Sequence, residues 1–462
     1  MSHFPEFRRA VLQWRTVAIR RLRQHTGDWT RVAGLPEWRQ NIDGAYRLER
    51  ESLVWDSEHV HQLTLLSQWS RIEEAVSSND QLQAHFDHVV GSSYARRQLE
   101  LEPTLRYLLP RPVWSDDRSD ILLDGSGFEA DYRALEDFLS ADSVTQLTMW
   151  LVRGVELDRP IRLDDRTVLR KLRPLEIADC LRGGLIVPRH GIILLPNDPF
   201  EGTPVGLFLS RQERKAFDNE PMGTDLKDFN NRILEKQRAV EHLQSCAALA
   251  DLSSLSVSSV KAESHDWDGR LTSFMPGGGA SIKFSLVNRI RFDTITPSKA
   301  GLLKRYWDWL SRQRGNSNLS FATRRMGYAN ERVRLEDYLL DTMIAAEALY
   351  LGGVKDTELK YRFATHAAVW AGAVRLGATQ REIYDFMRLA YDARSAIAHG
   401  NEPKPSRLKF KGNTVELESF CNTLNEIVRT GLVKAINYAE RKSVSKFEPD
   451  WDGMILRQGP RR

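Results

Sequence analysis

The stretch Thr379–Gly400, TQREIYDFMRLAYDARSAIAHG, decides how the carboxy-terminal part of the chain folds. Ile383, Met387, Ala390 and Ile397 recur at helical spacing, Thr379 with Glu382 has the form of a capping box, and Gly400 suits a helix stop. The spacing predicts a helix over 380–398. Arg394 falls in the apolar series, so its guanidinium is expected to be partly buried and to need an acceptor, since an unpaired buried charge is costly. Glu347 is the first candidate and Asp341 the second. His399 follows Arg394 by five positions, a rotation of about 140° on a regular helix. Either the helix ends between them, or the site needs a second surface, which a two-fold dimer supplies. A guanidinium stays charged at every accessible pH and an imidazole exchanges its proton near neutrality, so the pair suits a phosphodiester.

Around this stretch further helices are expected over 334–351, 357–376 and 415–440, and Thr296 before Pro297 caps another that runs through Trp307 and Leu310. Their lengths and short connections point to an antiparallel bundle. Glu347 shares a phase with Leu340, Ile344 and Leu351. His366 interrupts Leu359, Phe363, Ala367 and Trp370, which is the setting of a hydrogen-bonded core histidine.

The whole chain has 462 residues, 41% apolar and 28% charged, which predicts a multidomain protein with a sizeable core. No apolar run approaches the length that crosses a bilayer, so no membrane is expected. Cys180, Cys246 and Cys421 are odd in number and far apart, which excludes a readable disulfide framework or zinc knuckle and fits the cytoplasm. No metal or cofactor is expected. From Thr296 onward 28 Lys and Arg face 19 Asp and Glu, while the rest of the chain carries a net charge of −5. The basic half is the half with the Arg394–His399 stretch, which favours an anionic partner.

The first two dozen residues read as a basic amphipathic helix, with Phe7, Val11, Trp14, Ala18 and Leu22 on its apolar side. A surface helix docked by that side is preferred over a nucleic-acid face or a transit peptide. Helices are expected over 58–77, 81–101 and 128–139, with turns at 41–44 and 115–118. His59, His61, His85 and His88 are expected as solvated residues on helix faces, not as metal ligands.

Further on, QLTMWLVRGVEL (146–157) alternates like a strand, a turn follows at 158–160, and a second strand is expected over 161–169. A helix over 174–182 and strands in 184–195 and 205–210 complete a mixed domain. The runs 197–204 and 211–231 read as loops. The glycine run 275–283 lacks phosphate-loop spacing and precedes a strand-like stretch over 282–292, so a hinge or hairpin loop is expected. The fold class is α+β and multidomain: a mostly helical amino-terminal region (1–140), a mixed α/β middle domain (141–295) and a carboxy-terminal α-helical bundle (296–462).

FATRRMGYANERVRLEDYLLDTMIAAEALYLGG (321–353), then KYRFATHAAVWAG (360–372), then YDARSAIAHG (391–400) together resemble the HEPN domains, especially the Apea-like branch of prokaryotic defence proteins. The resemblance implies a helical bundle that dimerises and brings two Arg-x4–6-His motifs into one cleft. It also implies metal-independent endoribonuclease activity. Arg394 and His399 match the motif, Glu347 matches the acidic position of the upstream helix, and Ser395 stands where many active members have Asn, Asp or His. The expected partners are RNA, one or more further copies of the chain, and a phage-derived or cellular trigger. Lys404, Arg407, Lys409 and Lys411 are the expected RNA-binding residues, in antiphage defence or toxin-like growth arrest. The alternative on the same bundle is a noncatalytic RNA-binding or dimerisation scaffold.

Overall fold

The structure is a computed structural model, and it describes residues 2–24, 37–40, 46–49, 62–87, 89–90, 97–98, 101–106, 108–109, 111–114, 121–124, 127–173, 176–177, 193–194, 205–214, 225–265, 273–274, 293–313, 317–352, 358–371, 377–444 and 447–457. The fold is mixed α/β, mostly helical, with an antiparallel sheet in the middle. Among the described residues no helix is long and apolar enough to cross a membrane.

The amino-terminal helix α1 (Pro5–Gln24) buries Phe7, Val11, Trp14, Ala18 and Leu22, the apolar side read from the sequence. Two of its arginines tie it to the rest of the region. Arg8 pairs with Glu129, and Arg15 donates to the carbonyl of Leu108 with its guanidinium 4.5 Å from the Phe128 ring. Helices α2 (Trp69–Ser77), α3 (Asp80–Asp87), α4 (Leu101–Arg106) and α5 (Phe128–Ser140) complete this region, and one core runs through it from Phe4 to Leu139. Three expectations need correction. The helix over 58–77 is continuous only over Trp69–Ser77, because the chain turns at 65–68. The helix over 81–101 stops at Asp87, because β-branched Val89 and Val90 start a short ribbon with Arg97–Gln98. His85 is buried, not solvated: its Nδ1 lies 2.6 Å from the carbonyl oxygen of Gln81 and its ring meets Phe138 edge-on. His59, His61, His88 and the turns at 41–44 and 115–118 lie outside the described residues.

The sheet is built from β1 (Ser143–Arg153), β2 (Ile161–Arg162), β3 (Thr167–Lys171), β4 (Val205–Arg214), β5 (Ser256–His265) and β6 (Ser273–Phe274), in the order β6-β5-β1-β4-β3-β2. Neighbours are antiparallel, and β1 lies between β4 and β5 with Leu207 opposite Trp150 and Phe208 opposite Met149. Met149 to Val152 are all buried, the mark of a strand covered on both faces. The strand expected over 146–157 breaks at Gly154, which has φ +75°. The strand expected over 161–169 is a hairpin: the Asp164 carboxylate accepts from the backbone N–H groups of Arg166 (2.9 Å) and Thr167 (2.7 Å) and turns the chain. Cys180, the loop 197–204, the glycine run 275–283 and the whole stretch 282–292 lie outside the described residues. Of the helix over 174–182 only 176–177 are described, and of the strand in 184–195 only Ile193–Leu194, which pairs with a strand at Tyr46–Glu49.

Helix α6 (Asp225–Leu249) joins this sheet to the carboxy-terminal helices, and it corrects the loop expected over 211–231, whose first four residues extend β4 and whose last seven open α6. Leu243, Cys246 and Ala247 are buried in one core that runs from Trp150 to Trp451. His242 meets Trp307 edge-on, and the Trp307 indole N–H donates to Asp164 of the sheet hairpin over 2.7 Å. The remaining helices are α7 (Pro297–Arg312), α8 (Asn318–Asn330), α9 (Leu335–Tyr350), α10 (Leu359–Ala371), α11 (Gln380–Ala398), α12 (Leu417–Lys442) and α13 (Trp451–Arg457). Thr296 caps α7 by accepting from the backbone N–H of Lys299. The helix α8 is an addition to the expected set, capped by Ser317.

At the centre of the bundle, α12 passes close to α9 and α10. A Cβ on Gly431 would run into the Tyr350 hydroxyl, and the Trp370 indole N–H donates to the Gly431 carbonyl over 2.8 Å. Gly431→Ala should therefore destabilise by about 2 kcal/mol, although alanine is the better helix former. Denaturant melts of Gly431→Ala and Gly431→Ala/Tyr350→Phe check this, with the double variant expected to regain part of the loss.

Glu331 ends α8 with its carboxyl buried against Gln244 and the backbone of Val257, and burial pushes its pKa up to about 7. A folded-state value above the unfolded one means stability is complete below the unfolded pKa and falls as pH rises through 7. Thermal melts between pH 4.5 and pH 8 should show a decline on the order of 2 kcal/mol, flattened in Glu331→Gln.

Candidate functional site

Helix α11 carries the candidate residues, and both its ends are set by local chemistry. At the start, Thr379 Oγ1 accepts from the Glu382 backbone N–H (3.2 Å) and the Thr379 N–H donates to the Glu382 carboxylate (2.7 Å), the capping box read from the sequence. The Thr379 N–H and hydroxyl, both donating to it, hold the Glu382 carboxyl below the usual range. At the end, His399 is the C-cap and Gly400 has φ +76°, with its N–H bonded to the Ile397 carbonyl.

The helix is therefore unbroken between Arg394 and His399, and the two remain about 140° apart around its axis. Arg394 faces α9. Its Nε lies 3.3 Å from Glu347 Oε1 and its Nη2 3.5 Å from Oε2, with 34% of the arginine and 24% of the glutamate side chain exposed. Burial raises the Glu347 pKa, and Arg394 opposes that rise. The second-choice acceptor is engaged elsewhere: Asp341 takes Arg325 at 2.9 Å and Arg332 at 2.6 Å. Those two arginines, sixteen and nine residues upstream, reach Asp341 because α8 packs against α9.

His399 is exposed, and half-buried Ser395, one turn earlier, lies on the same side of α11. His366 is a core residue, as its setting implied. Its Nδ1 is 2.7 Å from the Tyr350 carbonyl oxygen, its ring stacks on Trp451 at 4.3 Å, and burial lowers its pKa.

Beyond Gly400 the chain forms a short arm, a 3-10 turn at Pro405–Arg407 and a ribbon pairing Lys409–Phe410 with Asn413–Thr414. Leu408 is buried beneath it and Phe410 packs edge-on against Phe386 of α11. Lys404, Arg407, Lys409 and Lys411 are all exposed on this arm, and Lys411 donates to the Gly377 carbonyl over 2.9 Å. The four expected RNA contacts thus follow His399 directly in the chain.

One chain offers a guanidinium pinned by a carboxylate and, on another side of the same helix, an exposed imidazole with a hydroxyl beside it. A single imidazole cannot accept one proton and supply another in the same concerted step. Among the described residues no group of three or more His, Cys, Asp or Glu is placed to hold a metal ion. A polar cleft of about 500 Å³ lies on the middle sheet, lined by Thr145, Arg166, Ser210, Arg211 and Glu235, and includes neither Arg394 nor His399. A double-mutant cycle on Glu347→Ala and Arg394→Ala, read by denaturant melts, should give a coupling of about 1 kcal/mol.

Comparison with known proteins finds no matching family model, no matching curated protein and no matching solved structure.

Proposed function

We propose that this chain is an endoribonuclease of HEPN type, with its carboxy-terminal helices as the HEPN-like bundle and a working site composed from two copies. The observation that carries the reading is the division of labour along α11. Arg394 is held against Glu347 at the edge of the core, while His399 ends the same unbroken helix in solvent. A group anchored in this way suits a fixed counter-charge, and a group left exposed suits proton exchange.

In this scheme the RNA 2′-hydroxyl attacks the adjacent phosphorus as His399 of one copy removes its proton. The bond from phosphorus to the 5′-oxygen breaks, and His399 of the second copy protonates the leaving oxygen. Arg394 stabilises the added negative charge of the phosphorane-like transition state, and Ser395 offers a hydroxyl on the His399 side of the helix. The products are a 2′,3′-cyclic phosphate and a 5′-hydroxyl, and no step uses a metal. In the cell the activity would serve antiphage defence or growth arrest in the cytoplasm, with the amino-terminal and middle regions responding to a phage-derived or cellular trigger.

The exposed basic arm favours a second reading, a noncatalytic RNA-binding or dimerisation scaffold on the same bundle. End-group analysis of RNA incubated with wild type and His399→Ala separates the two. The nuclease reading expects cyclic phosphate ends from wild type and a loss of at least about 100-fold in His399→Ala with an unchanged melt. Equal cleavage by both proteins would sink it. The scaffold reading instead expects function to survive His399→Ala and to fail when Lys404, Arg407, Lys409 and Lys411 are reversed in charge.

A further inference from the structure

The solvent face of α11 carries more than its carboxy-terminal end. At 100° per residue, Arg381, Arg388, Ser395 and His399 all fall within about 60° of Tyr384, on the side away from buried Ile383, Phe386, Ala390 and Ala393. Helix α10 lies alongside and sets Tyr361 edge-on against Tyr384, with ring centroids 6.2 Å apart. Tyr361 is 56% exposed, an unusually open setting for an aromatic side chain.

Two guanidinium groups flank this pair of rings, Arg381 at 5.5 Å and Arg388 at 5.7 Å from the Tyr384 centroid. The carboxylates of the face are already held, Asp385 by Arg381 and Asp392 by Lys360. Arg388 has no carboxylate partner among the described residues, and Arg362 of α10 is also exposed. An exposed tyrosine beside an uncompensated arginine is the chemistry that takes a base on the ring and the adjoining phosphate on the cation. Fifteen residues of helix carry this face about 22 Å from Tyr384 to His399.

We infer that the α10–α11 face is the entry track for a single-stranded RNA substrate: one base stacks on Tyr361, Arg388 holds the next phosphate, and the strand runs along α11 to Ser395 and His399. The inference rests on the RNA reading above. It adds that the substrate is unpaired at this point, because the bases of a duplex have no free face to offer a side chain.

The test uses the full chain carrying His399→Ala, which removes the proposed proton-transfer group, and a short fluorescein-labelled oligouridylate read by anisotropy. Adding Tyr361→Ala should weaken binding about tenfold. Tyr361→Phe, which keeps the ring, should bind as the parent does, and Arg388→Ala should reduce the slope of log affinity against log salt by about 0.7. Binding of a blunt duplex of equal length should not respond to Tyr361→Ala. The track is overturned if Tyr361→Ala and the parent bind the single strand equally tightly. It is also overturned if Tyr361→Ala alters only the oligomeric state in sedimentation velocity, which would assign the face to contact between copies. If neither wild type nor the parent binds any RNA, the RNA reading itself fails, a result distinct from unchanged binding in Tyr361→Ala.

Discussion

The approach of Tyr350 to the bare backbone of α12 at Gly431 is the constraint from which the candidate site follows. A side chain at 431 would displace the tyrosine, and the Trp370 indole bonds to the carbonyl of the same glycine, so α9 and α10 are both referenced to one point on α12. Tyr350 ends α9, and Glu347 stands one turn before it. The acceptor for Arg394 is thereby placed by a contact one turn further along its own helix. Helix α11 then lies over α9 and α10, with Phe386 against Phe420 of α12 as a further tie to the centre.

Helix α11 was legible to the residue because three independent signals agree there: an apolar period, a capping box and a glycine stop. The ion pair between Arg394 and Glu347 was legible for a related reason, since two charges on apolar stripes of neighbouring helices have few other places to go. What escaped had weaker or conflicting local signals. The start of α6 is dominated by charge and leaves Ile233 and Leu234 exposed, while its buried residues come late, at Ala239, Leu243 and Cys246 to Leu249. The α8 helix packs with small residues, Ala322, Gly327 and Ala329, and shows little periodicity. His85 was misjudged because its burial comes from Phe138, more than fifty residues away. The hairpin within 161–171 depends on one side chain, Asp164, that also accepts from Trp307 of α7, a contact no local pattern contains.

The electrostatics of the site differ from one side of α11 to the other. On the α9 side an arginine and a glutamate neutralise each other in partial burial, where ionic strength has limited reach. On the outer side, and along the arm that follows, cations outnumber the carboxylates available to them and are exposed to salt. A bound polyanion would therefore feel a screened, adjustable attraction along the outer side and the arm, and little net charge at the Arg394–Glu347 pair.

The core that runs from Trp150 of the sheet to Trp451 of the last helix has a consequence for how such a protein is governed. Helix α6 contributes apolar side chains to both ends of it, so sheet and bundle share one cooperative melting unit and cannot slide past each other without wetting that surface. The amino-terminal helices close around a core of their own. A signal that leaves the bundle intact is thus more cheaply generated by moving the amino-terminal region than by prising the sheet away. The seam between the two cores falls near residue 140, just ahead of β1.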